Sequence, residues 1–366
     1  MNIYILLCCG SFLLSLVCGI ICIPLILNYC KEHNIYDMPN QRKVHKTLIP
    51  RLGGICFLPS MLLALFIALK VMNSNMGGEI TLSLWSIYFL IGCLLIYGIG
   101  IIDDIIGVKP KTKFIVQIIA ACFLPLSSLY INNLYGFLGI WEIPYYVGMP
   151  FTVFVIVFIV NAMNLIDGID GLCAGLAIIA FCGFIYIFAQ QQVWPFCILI
   201  SGIIGVLVAY SYFNLFGKAE KNRKIFMGDS GSLTIGYILA FLFVKYAMNN
   251  PYVMPYRKDS LMLSFTLILI PVFDVVRVAL VRVYHHRGMF QADKNHIHHK
   301  LMRAGMTQHQ ALLTILGLAL FYILINFGLM NLIYASMILV IDIAIYIVFH
   351  FILNALIASR GEKPFE

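Results

Sequence analysis

Apolar residues run along the chain in eleven long segments separated by short polar connections. Each segment is long enough to cross about 30 Å of hydrocarbon as a helix that rises about 1.5 Å per residue. The weakest divisions lie within 161–172 and near Gln190 and Asn331. The pattern predicts an all-α polytopic membrane protein with about eleven transmembrane helices, at about 3–29, 52–72, 82–102, 114–131, 147–166, 171–190, 194–213, 231–248, 261–283, 310–329 and 331–357.

The composition supports a membrane protein and excludes a water-soluble globule. Hydrophobic residues make up 62% of the 366 residues, and charged residues only 11%. The polar connections leave no room for a separate large soluble domain, so we expect one integral membrane domain over residues 1–366. Its candidate active-site loops are 30–51, 103–113, 161–171, 214–232 and 284–309.

The basic residues are shared unequally between alternate connections. Twenty of the 24 Lys and Arg lie in or beside one set of loops and the C-terminal tail, and four lie on the other side. The positive-inside rule then predicts an N-terminus outside and a C-terminus in the cytoplasm. The net charge of +8 alone fits nucleic acid, anionic lipid or an anionic substrate. Because the basic side also carries clustered aspartates and histidines, we favour a polyanion that arrives with a divalent metal, and no nucleic acid.

The most polar stretch inside the apolar pattern is 161–172, Asn-Ala-Met-Asn-Leu-Ile-Asp-Gly-Ile-Asp-Gly-Leu. Burying Asp167 and Asp170 at a membrane boundary is expensive without a metal, a cationic partner or a ligand. Asn164 and Asp167 share a helix face, and Gly168 lets backbone approach a bulky polar group closely. The stretch indicates a site, although a polar turn between two helices would also explain it.

Two further aspartate motifs lie at predicted helix ends. Asp103 and Asp104 close the third segment ahead of Lys113, so one carboxylate can face a site while the other orients Lys113 or a metal-bound water. A simple stop signal for the span is the alternative. Asp229, at the start of the eighth segment, is well placed as a metal ligand, and an N-cap is its alternative role.

Two basic loops complete the candidate site. Arg42, His45 and Arg51 precede Gly53-Gly54 and either anchor anionic lipid or form a phosphate seat. The histidines of the ninth loop could bind zinc, but with Lys294, Lys300 and Arg303 beside them they look more like an anion-binding loop; they are His296, His298 and His299. Asp274 is expected to pair with Arg277 in a structural role.

Taken in order, these segments resemble the polyprenyl-phosphate N-acetylhexosamine-1-phosphate transferase superfamily. The resemblance is carried by RKVH…IPRLGG, DD…K, NxxNxxDGxDGL, FMGDSGS and HIHH, which cover nearly the whole chain. It implies a metal-dependent enzyme that joins a sugar 1-phosphate from a UDP-sugar to a lipid phosphate and releases UMP. RKVH with Pro50-Arg51, and HIHH without an uninterrupted histidine triplet, look closer to the bacterial undecaprenyl-phosphate N-acetylglucosamine-1-phosphate branch than to the muramoyl-pentapeptide branch.

The resemblance also implies roles for residues. Asp229 would bind Mg²⁺ or Mn²⁺, with Asn164, and Asp103, Asp104 and Lys113 would lie beside the lipid phosphate. The other expected catalytic residues are Asp167 and His296. The expected substrate-binding residues are Arg42, His45, Arg51, Gly168, Asp170, Asn214, His298, His299 and Arg303, with Gly168 and Asp170 near the uracil and the histidines and Arg303 near the sugar and pyrophosphate.

The expected function is transfer of N-acetylglucosamine 1-phosphate to undecaprenyl phosphate at the cytoplasmic face of the bacterial inner membrane, which starts a cell-envelope polysaccharide. Direct attack is favoured over a covalent aspartyl intermediate, because a phosphate monoester with a second pKa of about 6 is already largely a dianion. A muramoyl-pentapeptide substrate or another UDP-N-acetylhexosamine is the alternative. A transporter of nucleotide sugars or lipid-linked sugars is the rival from another class. The oligomeric state, a homodimer included, stays open.

Overall fold

The computed structural model describes residues 3–37, 48–76, 83–286, 288, 294–363 and 365. The first half contains α1 (Ile3–Glu32), a 3-10 turn (Gly53–Cys56), α2 (Phe57–Met76), α3 (Leu84–Ile106), α4 (Pro110–Leu126), the strands β1 (Asn133–Phe137) and β2 (Ile140–Glu142), and α5 (Tyr145–Ile166). The second half contains α6 (Leu172–Gln190), α7 (Trp194–Phe216), a 3-10 turn (Ala219–Lys221), α8 (Gly228–Ala247), α9 (Ser260–Leu267), α10 (Leu269–Tyr284), α11 (Ile297–Arg303), α12 (Gln308–Leu329) and α13 (Ala335–Ser359).

The described helices confirm an all-α polytopic membrane protein. Nine of them are long and apolar enough to span a bilayer, and the bent pair α9–α10 would be a tenth span. The fourth predicted segment, 114–131, is the one left over, and it corresponds to α4, which has 17 residues and is therefore only about 25 Å long. Pro110 occupies the first turn of α4, where its missing N–H costs nothing, so the helix begins earlier than the apolar pattern indicated.

The predicted ninth span, 261–283, is the clearest departure from the sequence pattern. The chain bends by 75° between α9 and α10 instead of continuing as one helix. Pro271 has no N–H to bond the carbonyl four residues earlier, at Leu267, which is the last residue of α9. The proline accounts for the break at this position.

Helix α8 is the centre of the bundle. Every residue from Ser230 to Ala247 is buried, and α3 and α5 make the largest contacts with it. A helix that is enclosed by protein on all sides fixes the positions of its neighbours. The first turn of α8 is therefore the reference point around which other helix ends are arranged.

Glycines let two elements meet that first turn at backbone distance. A Cβ on Gly54 would lie 2.1 Å from the backbone nitrogen of Gly231, and one on Gly100 would lie 2.5 Å from the Cα of Ser230. The 3-10 turn and α3 consequently pack against α8 with no side chain between them. Backbone bonds from Gly53 N to Phe226 O (2.9 Å) and from Phe226 N to Pro50 O (2.7 Å) fix the connection that leads into α8.

Candidate active site

Three carboxylates from two distant helices meet at one end of the bundle. Asp103 and Asp104 lie in the last turn of α3, and Asp229 lies in the first turn of α8. One oxygen from each lies within 4.8 Å of the others. The sequence prediction that these aspartates share a site is consistent with this geometry, because the crossing at Gly100 brings the end of α3 onto the start of α8.

Asp104 caps α8 from another helix. Its side chain is buried, and its two oxygens accept hydrogen bonds from the backbone N–H groups of Asp229 (2.8 Å) and Ser230 (2.9 Å). A carboxylate at this position satisfies unpaired N–H donors and favourably meets the positive end of the helix dipole. The capping role considered for Asp229 is thus filled by Asp104, which leaves the Asp229 side chain free for other contacts.

Lys113 links the remaining two carboxylates. Its Nζ lies 2.6 Å from Oδ2 of Asp229 and 3.2 Å from Oδ2 of Asp103, and the other Asp103 oxygen accepts a bond from Val108 N (2.7 Å). All three side chains are partly exposed, between 15% and 23%. The ammonium group therefore sits where a phosphate could reach it, against carboxylates that could hold a cation.

Asn164 joins the same cluster from the end of α5. Its Nδ2 donates to Oδ1 of Asp229 (3.1 Å) and to Oγ of Ser232 (2.9 Å). The two residues expected to share a metal are therefore in direct contact. Carboxylate and amide oxygens are the ligands that Mg²⁺ and other hard cations prefer, so the side chains of this cluster fit such an ion. Ser232 was not singled out from the sequence, where it looks like an ordinary small residue of a helix.

Asp167, just after α5, has no hydrogen bond or ion pair among the described residues. Burial raises the pKa of its carboxyl, and the negative charges of Asp229, Asp170 and Asp104 raise it further. A half-buried carboxylate without a partner inside an acidic cluster is costly unless something bound there offsets the charge. Its position next to the cluster supports its inclusion in the site.

A second polar group lies on the far side of the Asp-Gly loop, residues 167–171. Asp170 pairs with Lys224, with 2.6 Å between Oδ2 and Nζ. Asn214 is buried and ties this group together, because its Oδ1 accepts from Gly171 N (2.7 Å) and its Nδ2 donates to the carbonyl of Ile225 (2.9 Å). These bonds make Asn214 a scaffold for the loop, and its expected contact with substrate stays a prediction.

The histidine loop packs against the Asp-Gly loop. A Cβ on Gly168 would lie 2.1 Å from Nε2 of His298, so the absence of a side chain at Gly168 admits the imidazole. Burial lowers the pKa of His298 to about 3 and that of His299 to about 4, with the neighbouring positive and histidine side chains adding to the effect. Both nitrogens of His298 are buried without a hydrogen-bond partner among the described residues.

The basic residues divide into three groups. Arg51 donates from Nε to the carbonyl of Asp104 (2.7 Å), which fixes it beside the carboxylates. Arg303 donates to the carbonyl of Lys294 (3.2 Å) at the edge of the histidine loop. Arg42 and His45, expected to bind substrate, lie outside the described residues, as does the interval 38–47 as a whole.

A large cavity in the opposite half of the protein lacks this chemistry. It has a volume of about 430 Å³ and is lined by apolar side chains of β1, α5 and α9, with Lys258 as its one charged lining residue. No carboxylate, amide or imidazole from the described residues lines it. The cavity is not a candidate for phosphate chemistry.

Comparison with known proteins supports the expected family. The sequence profile of glycosyl transferase family 4 matches residues 86–247, which include α3 to α8 and therefore Asp103, Lys113, Asn164 and Asp229. Over this range the chain is similar to glycosyl transferase family 4. The histidine loop lies outside the matched range of this family, so its assignment depends on the motifs and the structure.

The similarity to curated proteins extends over most of the chain. The undecaprenyl-phosphate alpha-N-acetylglucosaminyl 1-phosphate transferase of Yersinia pestis is 29% identical over 285 residues, 77% of this chain and 73% of that protein. The protein of the same name from Escherichia coli (strain K12) is 29% identical over 294 residues, 78% of this chain and 74% of that protein. A probable undecaprenyl-phosphate N-acetylglucosaminyl 1-phosphate transferase of Bacillus subtilis (strain 168) is 29% identical over 315 residues, 83% of this chain and 80% of that protein.

Proposed function

We propose that this protein is a member of glycosyl transferase family 4 that transfers N-acetylglucosamine 1-phosphate from UDP-N-acetylglucosamine to undecaprenyl phosphate. The reaction releases UMP and starts a cell-envelope polysaccharide. The observation that carries the proposal is the meeting of Asp103, Asp104, Lys113, Asn164 and Asp229, from four helices, at one end of the bundle. The names of the relatives supply the substrates.

The reaction is a displacement at phosphorus. An oxygen of the lipid phosphate attacks the phosphorus that bears the sugar, a new P–O bond forms, and the bond from that phosphorus to the bridging oxygen of the diphosphate breaks. The bridging oxygen leaves with UMP, and the lipid diphosphate sugar remains in the membrane. Because a phosphate monoester with a second pKa of about 6 is mostly a dianion at neutral pH, the attack needs neutralisation and in-line placement more than it needs a base.

A divalent cation, Mg²⁺ or Mn²⁺, fits the acidic cluster. Asp229 would hold it with the amide oxygen of Asn164, beside Asp103 and Asp104. When bound, such an ion neutralises charge on the diphosphate and stabilises the leaving oxygen. We propose that Asp167, which has no partner among the described residues, orients the bound phosphates through a water.

The contacts of Asp103 and Asp104 favour direct attack over a phosphorylated intermediate on either of these two carboxylates. Both oxygens of Asp104 are engaged by backbone N–H groups, and both oxygens of Asp103 are engaged by Val108 N and Lys113. Oxygens held in this way are poor nucleophiles because their charge is already stabilised. Lys113 is better suited to receive the lipid phosphate when it leaves its carboxylate partners.

The remaining polar groups would each bind a different part of the nucleotide sugar. We propose that the uracil lies near Gly168 and Asp170, and that the sugar and pyrophosphate lie under His298, His299 and Arg303. Arg51, which bonds to the carbonyl of Asp104 at the end of α3, would add positive charge to the phosphate side, as would Arg42 and His45 earlier in the sequence. The excess of Lys and Arg on this side supports a site at the cytoplasmic face of the inner membrane.

A transporter of nucleotide sugars is the competing function, and the location of the charged groups disfavours it. Transport sites lie near the middle of the bilayer between repeated halves. Here Asp103 lies near the end of α3, Asp167 follows α5 directly, and Asp229 is the second residue of α8. The cluster thus lies at helix ends, where a soluble nucleotide and a lipid head group can meet.

The test is incubation of purified protein with undecaprenyl phosphate and a panel of radiolabelled UDP-sugars. The panel contains UDP-N-acetylglucosamine, UDP-N-acetylgalactosamine and UDP-N-acetylmuramoyl-pentapeptide. We expect labelled lipid from UDP-N-acetylglucosamine, and none after EDTA treatment until Mg²⁺ or Mn²⁺ is restored. Labelled lipid from the muramoyl substrate alone would move the protein to the other branch, and uptake of label into vesicles without any lipid product would indicate transport.

A further inference from the structure

Asp274, in the second turn of α10, has more partners than the ion pair expected from the sequence. Its carboxylate is fully buried, and Oδ1 accepts from Arg277 at 2.8 Å. It also reaches the histidine loop, 22 and 23 residues away, through His296 Nδ1 at 2.7 Å and the backbone nitrogen of Ile297 at 2.9 Å. A residue that appeared to serve only its own helix therefore contacts the candidate catalytic loop directly.

The pair formed by Asp274 and Arg277 holds three consecutive residues. Arg277 donates to the carbonyl of Asn295, while Asp274 accepts from the ring of His296 and from the N–H of Ile297. Each of these three loop residues is nearly or fully buried. Both the backbone and the imidazole at the start of α11 are therefore fixed by one ion pair on α10.

The contact also determines which imidazole nitrogen carries hydrogen. An ionised carboxylate can only accept hydrogen bonds, and Asp274 is paired with an arginine that keeps it ionised. The proton on His296 must therefore be on Nδ1, where the acceptor is, which directs the Nε2 nitrogen away from Asp274. A carboxylate that holds one nitrogen of a histidine in this way orients the ring.

The histidine loop that Asp274 fixes also contacts the candidate substrate region. His298, two residues after His296, has its Nε2 packed over Gly168, and the two imidazole rings are nearly parallel, with their centroids 6.1 Å apart. A shift of the start of α11 would move both rings relative to the Asp-Gly loop. The precision of the histidine loop thus depends on a residue that cannot itself reach a substrate.

We propose that Asp274 is a positioning residue for the transfer reaction, acting through His296. The inference rests on the proposed function, since it assigns His296 to that reaction. Asp274 sets the orientation and tautomer of the imidazole, and His296 uses its Nε2 to meet the sugar or diphosphate. Arg277 offsets the buried negative charge and anchors the loop backbone.

The kinetic test compares Asp274→Asn, His296→Ala and the double variant in the full-length protein, with undecaprenyl phosphate and UDP-N-acetylglucosamine. We expect Asp274→Asn to lower kcat by about 10- to 100-fold, as is typical when a histidine loses its orienting partner, with little change in the KM for undecaprenyl phosphate. The double variant should be no slower than His296→Ala. Losses that multiply in the double variant, or wild-type kcat in Asp274→Asn, would overturn the proposal.

The matched control is Asp342→Asn. Asp342 is also fully buried in a membrane helix and accepts a hydrogen bond at 2.9 Å, from Asn326, but it belongs to the α12–α13 pair and not to the site. We expect it to leave kcat unchanged. An equal loss of kcat in both variants would show that replacement of any buried aspartate impairs the protein, and the proposal would be wrong.

A second measurement needs neither a folded Asp274 variant nor a working assay. Protein labelled with ¹⁵N-histidine in nanodiscs, with His296 assigned from the signal lost in His296→Gln, should show hydrogen on Nδ1. Hydrogen on Nε2 alone would contradict the proposal. Since this readout is independent of turnover, a wild-type protein that is inactive on every UDP-sugar would disprove the proposed function while the Asp274–His296 contact is still tested.

Discussion

Asp229 is the residue on which most contacts of the site converge. Lys113 meets one of its oxygens and Asn164 the other, while its own backbone N–H is used by Asp104. Its side chain is 23% exposed, so it is accessible to a ligand without being a surface group. These polar contacts and this accessibility indicate that Asp229 has a chemical role and not only a packing role.

Replacing Asp229 by asparagine should abolish turnover and leave the fold intact. The variant keeps the size of the side chain but removes the charge that would hold a cation and pair with Lys113, so we expect a loss of at least about 100-fold, as found for groups that stabilise transition-state charge. Turnover and the melting temperature are measured together. The control is Asp259→Asn, at the opposite end of the bundle before α9, which should behave as wild type. An Asp229→Asn enzyme with wild-type turnover would remove the metal assignment.

His298 makes stability depend on pH. Burial lowers its folded-state pKa to about 3, below the ordinary value of 6.5, so the unfolded chain binds more protons in the interval between them. The contribution of His298 to the free energy of unfolding is fully present above about pH 6.5 and falls by about 1.4 kcal/mol per pH unit below it. Melting temperatures measured between pH 7 and 5 should therefore decrease. His298→Gln should flatten the decrease, and His33→Gln, at an exposed position, should not; equal slopes in all three proteins would contradict this account.

At the residue level, the sequence predicted which residues lie together in the candidate site better than it predicted their contacts. Asp103, Asp104, Asn164 and Asp229 could be selected because carboxylates and amides at the ends of apolar runs are costly without a purpose. That Asp104 caps α8 could not be foreseen, because the cap belongs to a helix 125 residues away. The bond from Asp274 to His296 was missed for the same reason, while its pairing with Arg277 within one helix turn was correctly predicted.

Among the elements, the crossing of the 3-10 turn Gly53–Cys56 with α8 determines how closely the loop that contains Arg51 approaches the carboxylates. Gly54 and Gly231 meet there with their backbones in contact. Replacing Gly54 by alanine would put a Cβ 2.1 Å from a backbone nitrogen that cannot rotate away. The two elements must then separate, and overpacking of this kind costs about 1–3 kcal/mol.

We therefore expect Gly54→Ala to lower the melting temperature and the turnover of the purified enzyme. Gly98→Ala is the matched control, because Gly98 is in the middle of α3 and a Cβ there meets no atom within 4 Å. The control should equal or slightly exceed the wild type in stability, since alanine favours helix. A Gly54→Ala protein as stable and active as Gly98→Ala would show that the crossing is looser than described.

The apolar pattern predicted where the helices lie, but it did not predict where a helix is interrupted. The segment 261–283 has the length and composition of one span, and only Pro271 marked the point where α9 and α10 separate. Apolar periodicity reports burial and carries no information on bending, so the 75° angle could not be predicted from it. The bend matters for the site, because α10 carries Asp274 toward the histidine loop.

For the whole molecule, the unequal distribution of basic residues gives a testable orientation. The basic side contains the carboxylate cluster, and the opposite side contains the β1–β2 hairpin and the connection that carries Tyr252, which is 95% exposed. The positive-inside rule then places the carboxylate cluster at the cytoplasmic face.

Reporter fusions can test this orientation. Green fluorescent protein fused after residue 366 should fluoresce, since it folds in the cytoplasm, and alkaline phosphatase fused at Tyr252 should be active, since it requires the outside. The control exchanges the two reporters, and both should then be silent. Activity of the exchanged pair would reverse the orientation and move the carboxylate cluster to the outer face.

The most direct measurement of the central claim is the identity of the nucleotide released when purified protein acts on UDP-N-acetylglucosamine and undecaprenyl phosphate. Transfer of a sugar 1-phosphate must release UMP, whereas transfer of the sugar alone would release UDP. We expect UMP and the lipid diphosphate sugar in equal amounts by mass spectrometry, with neither formed after EDTA treatment or by Asp229→Asn. Release of UDP, or UMP formation at the same rate without a divalent cation, would contradict the account.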